Sequence, residues 1–276
     1  MPGPEADRAD DLALLLRAAG AAAALAKDYF DRGGVARWDK SPGNPVSAAD
    51  LAVDAQLKAE LLGARPDDGW LSEETADDLV RLGCRRVWVV DPIDGTRDFI
   101  RGRTGWAVSV ALVVDGVPVL GALAAPARGQ TFVAVAGGGA TLDGVPLAVS
   151  GRTDLAGVRL PADAAGLAAG FWPEPWDAVA VAVEKPNSLA LRIAHVATGF
   201  ADGFIEGRTI NEWDVAAAAL LLTEAGGTVT DRAGASLTFN QPDPAVRGLV
   251  AATPALHADL RRRLDGGLMA LAARRR

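Results

Sequence analysis

Residues 87–99 constrain the fold more than any other stretch of the chain. Their first four residues are apolar and either β-branched or aromatic, which is the pattern of a strand buried on both faces. We expect this strand to end at the following Asp-Pro pair, because proline has no N–H to donate to a neighbouring strand. Asp91 and Asp94 then lie at the open strand end, and the Gly-Thr pair at 95–96 begins a predicted helix.

Two carboxylates beside a Gly-Thr turn with available backbone N–H groups suit a divalent cation that faces a phosphate. An Asp-Pro pair by itself indicates no more than a turn. Three further acids, Asp50, Glu73 and Asp214, lie at or beside the edges of other apolar segments. Donor sets made only of carboxylates select hard cations such as Mg²⁺. The five acids together therefore predict a magnesium site. Taken alone, Asp50 would be interpreted as a charge at a helix start and Glu73 as part of a solvated surface.

The composition limits the class of protein and its partners. With 276 residues, half of them hydrophobic, the chain can form one large domain or two smaller ones. The net charge of −7 argues against a nucleic-acid polymer or an anionic membrane as partner. A single cysteine, Cys84, excludes an intrachain disulfide and fits a reducing compartment. The acidic N-terminus is unlike a signal peptide, and no clean apolar span of about 20 residues is present, so we expect a cytoplasmic protein.

The order of the predicted elements indicates an α+β fold. Two helices precede a run of antiparallel strands, and this succession points to packed layers of helix and sheet. The predicted helices cover residues 10–30, 47–62, 188–198, 215–225 and 254–273. The predicted strands cover residues 69–74, 87–90, 106–114, 117–124, 130–136, 147–149, 201–205, 228–231 and 248–252.

The pattern changes near residue 151, where the chain becomes rich in alanine, glycine and proline. We therefore divide it into two halves, 1–150 with two helices, the antiparallel sheet and most of the acids, and 151–276 with Asp214. Residues 38–46 are predicted to be a loop, and residues 155–182 have no clear assignment.

Four motifs together resemble one family. They are WVVDPIDGT at 88–96, WDVAAA at 213–218 continued by EAGG at 224–227, PVSAAD at 45–50, and LSEE at 71–74. On these motifs the chain resembles the inositol monophosphatase superfamily of Mg²⁺-dependent, lithium-sensitive phosphatases, over nearly its whole length. The resemblance implies the layered α/β/α/β/α sandwich of the inositol monophosphatase and fructose-1,6-bisphosphatase type, with the active site between the two halves.

The resemblance also implies a site with two to three Mg²⁺ ions. Glu73, Asp91 and the backbone carbonyl of Ile93 would hold the first ion. Asp91, Asp94 and Asp214 would hold the second ion. The substrate would be a small-molecule phosphate ester, hydrolysed by a metal-activated water.

The resemblance implies roles for three further groups. Glu73, with water ligands oriented by Asp50, would hold a third and weaker ion. Thr96, together with Asp50, would orient the attacking water. The backbone N–H groups of Gly95 and Thr96 would receive the phosphate.

Parts of the chain are similar to bacterial 3′(2′),5′-bisphosphate nucleotidases, which serve sulfate assimilation. We therefore expect hydrolysis of the 3′-phosphate of adenosine 3′,5′-bisphosphate, with a cation outside the metal cluster that contacts the second phosphate. The strings that carry this likeness are RPDD at 65–68, DDLVRL at 77–82, DGTRDF at 94–99, WAV at 106–108, NEWD at 211–214 and FNQPDP at 239–244. The substrate-side candidates are Arg97, Lys185, Ser188, Arg192 and Arg208.

Two departures leave the substrate open. Residues 159–163 read RLPAD where the nucleotidases often have an anion site, and Asn187-Ser188 replaces a usual Gly-Ser pair. Inositol 1-phosphate, histidinol phosphate and sugar phosphates therefore remain alternative substrates, and an inactive binding protein with the same fold is a remote alternative. A homodimer is also left open.

Overall fold

A computed structural model describes residues 4–41, 44–168, 172–176 and 179–274 of the protein. Within these residues the fold is a stack of alternating helix and sheet layers. The helices are α1 (Pro4–Arg32), α2 (Ala48–Ala64), α3 (Thr96–Phe99), α4 (Ala164–Leu167), α5 (Leu189–Ala197), α6 (Ala216–Glu224) and α7 (Pro254–Arg274). Single 3₁₀ turns are formed by Val80–Gly83, Pro126–Arg128 and Glu212–Asp214. None of the helices in the described ranges is long and apolar enough to cross a membrane.

The strands of the described residues form four sheets. The largest has seven strands, in the order β3-β4-β5-β6-β7-β8-β9, and a three-stranded sheet has the order β12-β14-β13. The pairs β1-β2 and β10-β11 form two small sheets. The bounds are β1 (Arg37–Ser41), β2 (Asn44–Ser47), β3 (Gly69–Ser72), β4 (Arg86–Asp94), β5 (Ala107–Val114), β6 (Val117–Ala125), β7 (Gln130–Val135), β8 (Gly139–Leu142), β9 (Val145–Pro146), β10 (Val158–Pro161), β11 (Ala180–Val183), β12 (Gly203–Asn211), β13 (Thr228–Asp231) and β14 (Ala245–Ala252).

Among the described residues, three apolar cores separate the layers and confirm the predicted α/β/α/β/α order. Trp88 and Val90 of β4 point into a core with α1 and α2, whereas Val87 and Val89 point to the opposite face, because side chains alternate along a strand. That second core contains α5, α6 and one face of the three-stranded sheet. The third core lies between the other face of that sheet and α7. Since the second core takes residues from both sides of position 150, the two halves are packed together through it.

The prediction that residues 87–90 form a buried strand is confirmed by β4, which is buried on both faces. Its neighbour β3 is parallel to it, and β5 on the other side is antiparallel. The prediction that the strand ends at Asp91-Pro92 is wrong, because pairing resumes where Asp94 lies opposite Ala107 of β5. The bulge at Pro92 and Ile93 interrupts the pairing without ending the strand.

Other predicted elements also need correction. Residues 147–149 form no strand, and the last strands of the large sheet are β8 and β9 instead. The predicted loop at 38–46 contains β1 and β2, which pair in antiparallel fashion. The unassigned stretch 155–182 contains β10 and β11, which are parallel neighbours. These strands are short and contain few β-branched residues, so the local sequence pattern did not indicate them.

Candidate active site

A bulge in β4 brings the two acids of the central motif to one side. Asp91 lies opposite Ser109 of β5 and Asp94 lies opposite Ala107, so β4 uses three steps where β5 uses two. Residues three apart on a regular strand face opposite sides, and one inserted residue restores a common side. Both carboxylates are buried at this edge of the sheet.

Glu73 reaches the same edge from the parallel strand β3. Ser72 pairs with Val90, so the next residue of each strand, Glu73 and Asp91, follows at the shared carboxyl end. The backbone N–H of Glu73 donates to the carbonyl of Val90 at 3.3 Å. The ammonium of Lys40 lies 2.8 Å from a carboxylate oxygen of Glu73 and 2.8 Å from one of Glu74. This lysine places a cation beside the acids.

Asp214 arrives from the opposite layer, in the 3₁₀ turn that follows β12. Its carboxylate accepts from the backbone N–H of Asn211 at 2.9 Å, which fixes the side chain against its own turn. The hydroxyl of Ser109 donates to the carbonyl of Trp213 at 3.4 Å and links this turn to β5. One carboxylate oxygen each from Asp91, Asp94 and Asp214 lie within 4.8 Å of one another.

Burial and mutual repulsion raise the pKa values of this cluster. Burial raises the pKa of Asp91 well above its ordinary range, and the neighbouring charges of Glu73, Asp94 and Asp214 raise it further. Burial raises the pKa of Asp94 to about 6, although hydrogen bonds from the start of α5 oppose the shift. Burial, followed by repulsion from Asp94, raises the pKa of Asp214 well above its ordinary range. The cluster therefore favours the binding of positive charge.

Thr96 lies between two acceptors at the start of α3. Its hydroxyl oxygen is 3.1 Å from a carboxylate oxygen of Asp50 and 3.1 Å from the carbonyl oxygen of Ile93. The other oxygen of Asp50 accepts from the backbone N–H of Ser47 at 2.8 Å and from its hydroxyl at 2.6 Å. A hydroxyl has one proton and two lone pairs, so Thr96 can still accept a hydrogen bond from a water. Asp50 lies behind Thr96 and does not line the cleft.

Gly95 has to be glycine for two reasons. Its φ is +98°, in the region that side-chain-bearing residues avoid. A Cβ at this position would lie 2.7 Å from the carbonyl oxygen of Gly105 and 2.8 Å from the backbone nitrogen of Ser188. Gly95 and Thr96 both line the cleft. This position agrees with the expectation that their backbone N–H groups contact the phosphate.

Ser188 has a different position from the one expected of a substrate contact. It is buried, and its hydroxyl donates to Asp94 at 2.6 Å. The backbone N–H groups of Leu189 and Ala190, at the start of α5, donate to the same carboxylate at 3.1 and 2.7 Å. Ser188 therefore orients Asp94 and does not line the cleft.

The basic candidates divide into two groups. Arg97, Arg192 and Arg208 line the same cleft of about 240 Å³ as the acids. Lys185 does not line it, and its ammonium instead lies 2.6 Å from Asp163, an exposed carboxylate. The expectation that Lys185 contacts substrate is therefore not supported by its position.

The guanidinium groups of two cleft arginines also bond to the protein. Arg192 is buried, and it donates to the backbone carbonyls of Pro186 and Asn187. Arg208 forms an ion pair with Glu206, with a 2.8 Å contact, while most of its side chain remains exposed. Arg208 is thus the more available of the two for a ligand.

Sequence reasoning missed several residues of the cleft. Asn187 and Asn211 line it, and Lys40 contacts Glu73 directly. Lys40 is 33 residues from Glu73 in the chain, so no local spacing could pair them. Asn211 stood in a motif that was used only for the resemblance, and its place directly before the predicted ligand Asp214 was a usable signal.

The donor set fits a hard divalent cation. It consists of carboxylate oxygens, with a backbone carbonyl nearby, and contains no sulfur or imidazole donor among the clustered groups. Magnesium prefers such ligands and keeps several waters for contact with phosphate. Because these carboxylates lose hydration and repel one another, the site is stabilised when it binds a cation. The number of ions and their identity stay predictions.

A model of the inositol monophosphatase family matches residues 7–270 of the chain. The chain is 38% identical over 232 residues to a protein of Streptomyces griseus named glucose-1-phosphate thymidylyltransferase, with 83% of this chain and 88% of the relative covered. It is 38% identical over 201 residues to the inositol-1-monophosphatase of Mesorhizobium japonicum, with 71% and 75% covered. It is 34% identical over 267 residues to the histidinol-phosphatase of Mycobacterium tuberculosis, with 94% and 99% covered.

A solved structure shows the same fold. The extragenic suppressor protein suhB of Bartonella henselae superposes with a TM-score of 0.80 at 28% sequence identity. The match covers 92% of this chain and 98% of the suhB chain.

Proposed function

This chain belongs to the inositol monophosphatase family of phosphatases, and we propose that it is a Mg²⁺-dependent phosphomonoesterase that removes the 3′-phosphate of adenosine 3′,5′-bisphosphate. The observation that carries the substrate is the position of Arg97, Arg192 and Arg208 in the same cleft as the acid cluster. Metal ions neutralise only the phosphate that they contact. A second phosphate on the substrate needs separate cations, and guanidinium groups are suited to that contact.

The residues of the site have distinct proposed roles. Glu73, Asp91, Asp94, Asp214 and the carbonyl of Ile93 would hold two to three Mg²⁺ ions. When bound, Mg²⁺ would neutralise phosphate charge and make water a better nucleophile.

Thr96 and Asp50 supply the orientation of the water. Thr96 can accept one hydrogen of the attacking water, because Asp50 and the Ile93 carbonyl both compete for the single hydroxyl proton. The N–H groups of Gly95 and Thr96 would bind the phosphate oxygens. The cleft walls would hold the rest of the substrate so that its phosphate lies in line with that water.

Histidinol phosphate is the second candidate substrate. The histidinol-phosphatase relative aligns with 94% of this chain, a larger share than the inositol-1-monophosphatase relative covers. Inositol 1-phosphate stands as an alternative because of the latter relative. The name of the Streptomyces griseus relative, glucose-1-phosphate thymidylyltransferase, describes nucleotide transfer. Release of inorganic phosphate in the assay would identify hydrolysis and distinguish it from such a transfer. A cytoplasmic location and a boundary between two halves near residue 150 remain part of the proposal, and a homodimer is left open.

The substrate proposal is tested by phosphate release with saturating Mg²⁺. Adenosine 3′,5′-bisphosphate, inositol 1-phosphate and histidinol phosphate are compared at equal concentrations. We expect kcat/KM for the bisphosphate to exceed the other two by at least about tenfold, because one charge-assisted contact contributes roughly 1.5–3 kcal/mol. Higher kcat/KM for either monophosphate would overturn the substrate, and no hydrolysis of any of them would favour the inactive binding protein.

Two variants test whether the cleft cations read the second phosphate. Arg208→Ala should lower kcat/KM for the bisphosphate by about ten- to a hundredfold and leave inositol 1-phosphate within about threefold. Lys185→Ala is the matched control, since its ammonium pairs with Asp163 away from the cleft. If Arg208→Ala weakens both substrates equally, Arg208 does not read a second phosphate.

A further inference from the structure

We propose that Asp54 is a positioning residue, which holds the turn that carries Glu73 and thereby sets the strength of metal binding. This inference rests on the proposed function only in taking Glu73 as a metal ligand. Asp54 itself is no candidate ligand in the family motifs discussed above. It lies on α2, one helical turn after Asp50, so both carboxylates face the same side of that helix.

The carboxylate of Asp54 holds both ends of the turn around Glu73. One of its oxygens accepts from the hydroxyl of Ser72 at 2.5 Å, and the other accepts from the hydroxyl of Thr75 at 2.7 Å. Ser72 and Thr75 bracket Glu73 and Glu74 in the chain. Asp54 and Ser72 are both buried. A buried carboxylate is costly unless it is hydrogen-bonded, and here both oxygens are bonded to the same turn.

Further bonds extend this anchorage. The hydroxyl oxygen of Ser72 accepts from the backbone N–H of Glu74 at 3.3 Å. The indole N–H of Trp70 donates to the hydroxyl oxygen of Thr75 at 3.2 Å. The turn is therefore fixed at its start, at its end and through β3, which leaves the Glu73 side chain as the part that points toward the cleft.

The arrangement gives α2 two positioning contacts with the site. Asp50 bonds Thr96, and Asp54 bonds the turn that carries Glu73. Because both acids belong to one rigid helix, the distance between the water-orienting group and the Glu73 ligand is held by the helix. Outer partners of this kind commonly change metal affinity by about 10- to 100-fold when they are removed.

The test measures metal binding directly, on substrate-free protein. Mg²⁺ and Mn²⁺ are titrated calorimetrically into the parent, Asp54→Ala and Asp54→Asn, with the thermal midpoint recorded for each. We expect Asp54→Ala to weaken binding at least about tenfold. Asp54→Asn should stay within about threefold of the parent, because an amide can accept from one hydroxyl and donate to the other. For each variant, the Mg²⁺ concentration that gives half-maximal activity should rise by the same factor as its metal dissociation constant. KM for the substrate should stay unchanged at saturating metal.

Two controls separate positioning from general stability. Asp11→Asn alters a buried acid that bonds Arg65 and Arg86 outside the cleft, so it should lower the thermal midpoint without weakening metal binding. Ser72→Ala removes the bond to one oxygen of Asp54, together with the acceptor for the Glu74 N–H, and leaves the Thr75 bond to Asp54 in place. It keeps the question answerable if Asp54→Ala does not fold, with about three- to tenfold weaker binding expected.

The outcomes distinguish the inference from the function beneath it. Unchanged metal binding in Asp54→Ala, or in Ser72→Ala if only that variant folds, would overturn the positioning role. Equal weakening in Asp11→Asn would also overturn it, since the effect would then be one of stability. A parent that binds neither Mg²⁺ nor Mn²⁺ would contradict the proposed metal-dependent function instead.

Discussion

Thr96 shows how a single residue acquires a role from its neighbours. Its hydroxyl lies 3.1 Å from Asp50 and 3.1 Å from the carbonyl of Ile93, and it lines the cleft. Gly95 makes this position attainable, because its positive φ turns the chain from β4 into α3. The side chain is thus aimed by its local backbone and by α2.

The first prediction at this scale concerns turnover. Thr96→Ala should lower kcat by about a hundredfold or more and leave KM within about threefold, because the hydroxyl orients water and not the body of the substrate. Thr96→Ser is the matched control, since it keeps the hydroxyl and should retain kcat within about tenfold. Steady-state kinetics with saturating Mg²⁺ decides it. An increase in KM at constant kcat would contradict the assignment.

At the scale of elements, one buried carboxylate joins three segments. Asp202, directly before β12, accepts from the hydroxyl of Ser150 at 2.6 Å and from the guanidinium groups of Arg152 and Arg159 at 3.0 and 2.7 Å. The backbone N–H of Arg159, in β10, donates to it as well. Arg159 stands where the nucleotidases often have an anion site, and here it bonds Asp202.

The prediction for this element concerns acid stability. Burial alone would raise the pKa of Asp202, but bonds from Arg159 and Ser150 lower it to about 2. Because this pKa lies below that of an unfolded aspartate, the stabilisation is present above about pH 4 and is lost as the pH falls toward 2. Asp202→Asn should lower the free energy of unfolding by about 2 kcal/mol at pH 7, with a smaller difference at pH 3.

Urea unfolding at the two pH values measures this effect. Asp163→Asn is the control, because its partner Lys185 is solvent-accessible and exposed ion pairs contribute no more than about 1 kcal/mol. A loss for Asp202→Asn that does not shrink at pH 3 would show that the carboxylate charge is not the source of the stabilisation.

At the scale of the whole molecule, the acid cluster opposes folding while it supports function. Asp91 and Asp94 come from the large sheet and Asp214 from the turn after β12, so folding alone brings their charges within 4.8 Å. Burial and the neighbouring acids raise the pKa of Asp91 well above that of an unfolded aspartate. The folded state therefore binds more protons, and stability falls as the pH rises through the range between the two pKa values.

The prediction for the whole molecule joins stability to metal binding. In chelator, Asp91→Asn should raise the thermal midpoint, by roughly 2–4 °C for each kcal/mol of repulsion removed. In excess Mg²⁺ the parent should be stabilised and Asp91→Asn should not, since a ligand that binds only the folded state adds stability. The turnover of Asp91→Asn should be lower than that of the parent by about a thousandfold or more.

Calorimetric scans with chelator and with Mg²⁺, together with phosphate release, test both parts. Asp115→Asn is the control, because this exposed acid in the turn between β5 and β6 belongs to neither the cluster nor the cleft lining. Activity of Asp91→Asn within tenfold of the parent, or full activity of the parent in excess chelator, would contradict the metal assignment.

Local pattern was sufficient for most of the elements and for the three aspartates that the fold brings together, but not for Lys40, Asn187 and Asn211. The run at 87–90 indicated a buried strand because its residues are β-branched or aromatic, and the motifs around Asp91, Glu73 and Asp214 carry the family resemblance in consecutive residues. Short strands were harder, since β1 and β10 contain few of the residues that favour strands and are held by their partners.

The sequence by itself determined the carboxylates, the glycine and the threonine proposed for the site, because these residues lie at set spacings within its motifs. Only the tertiary structure decided which charged and polar side chains contact one another. It placed Lys40 on Glu73, Lys185 on Asp163 and Ser188 on Asp94, over separations of 22 to 94 residues. The physical reason is that ion pairs and hydrogen bonds act over a few ångströms, whereas the spacing that sets them comes from a bulge in β4, the parallel pairing of β3 and the packing of whole layers.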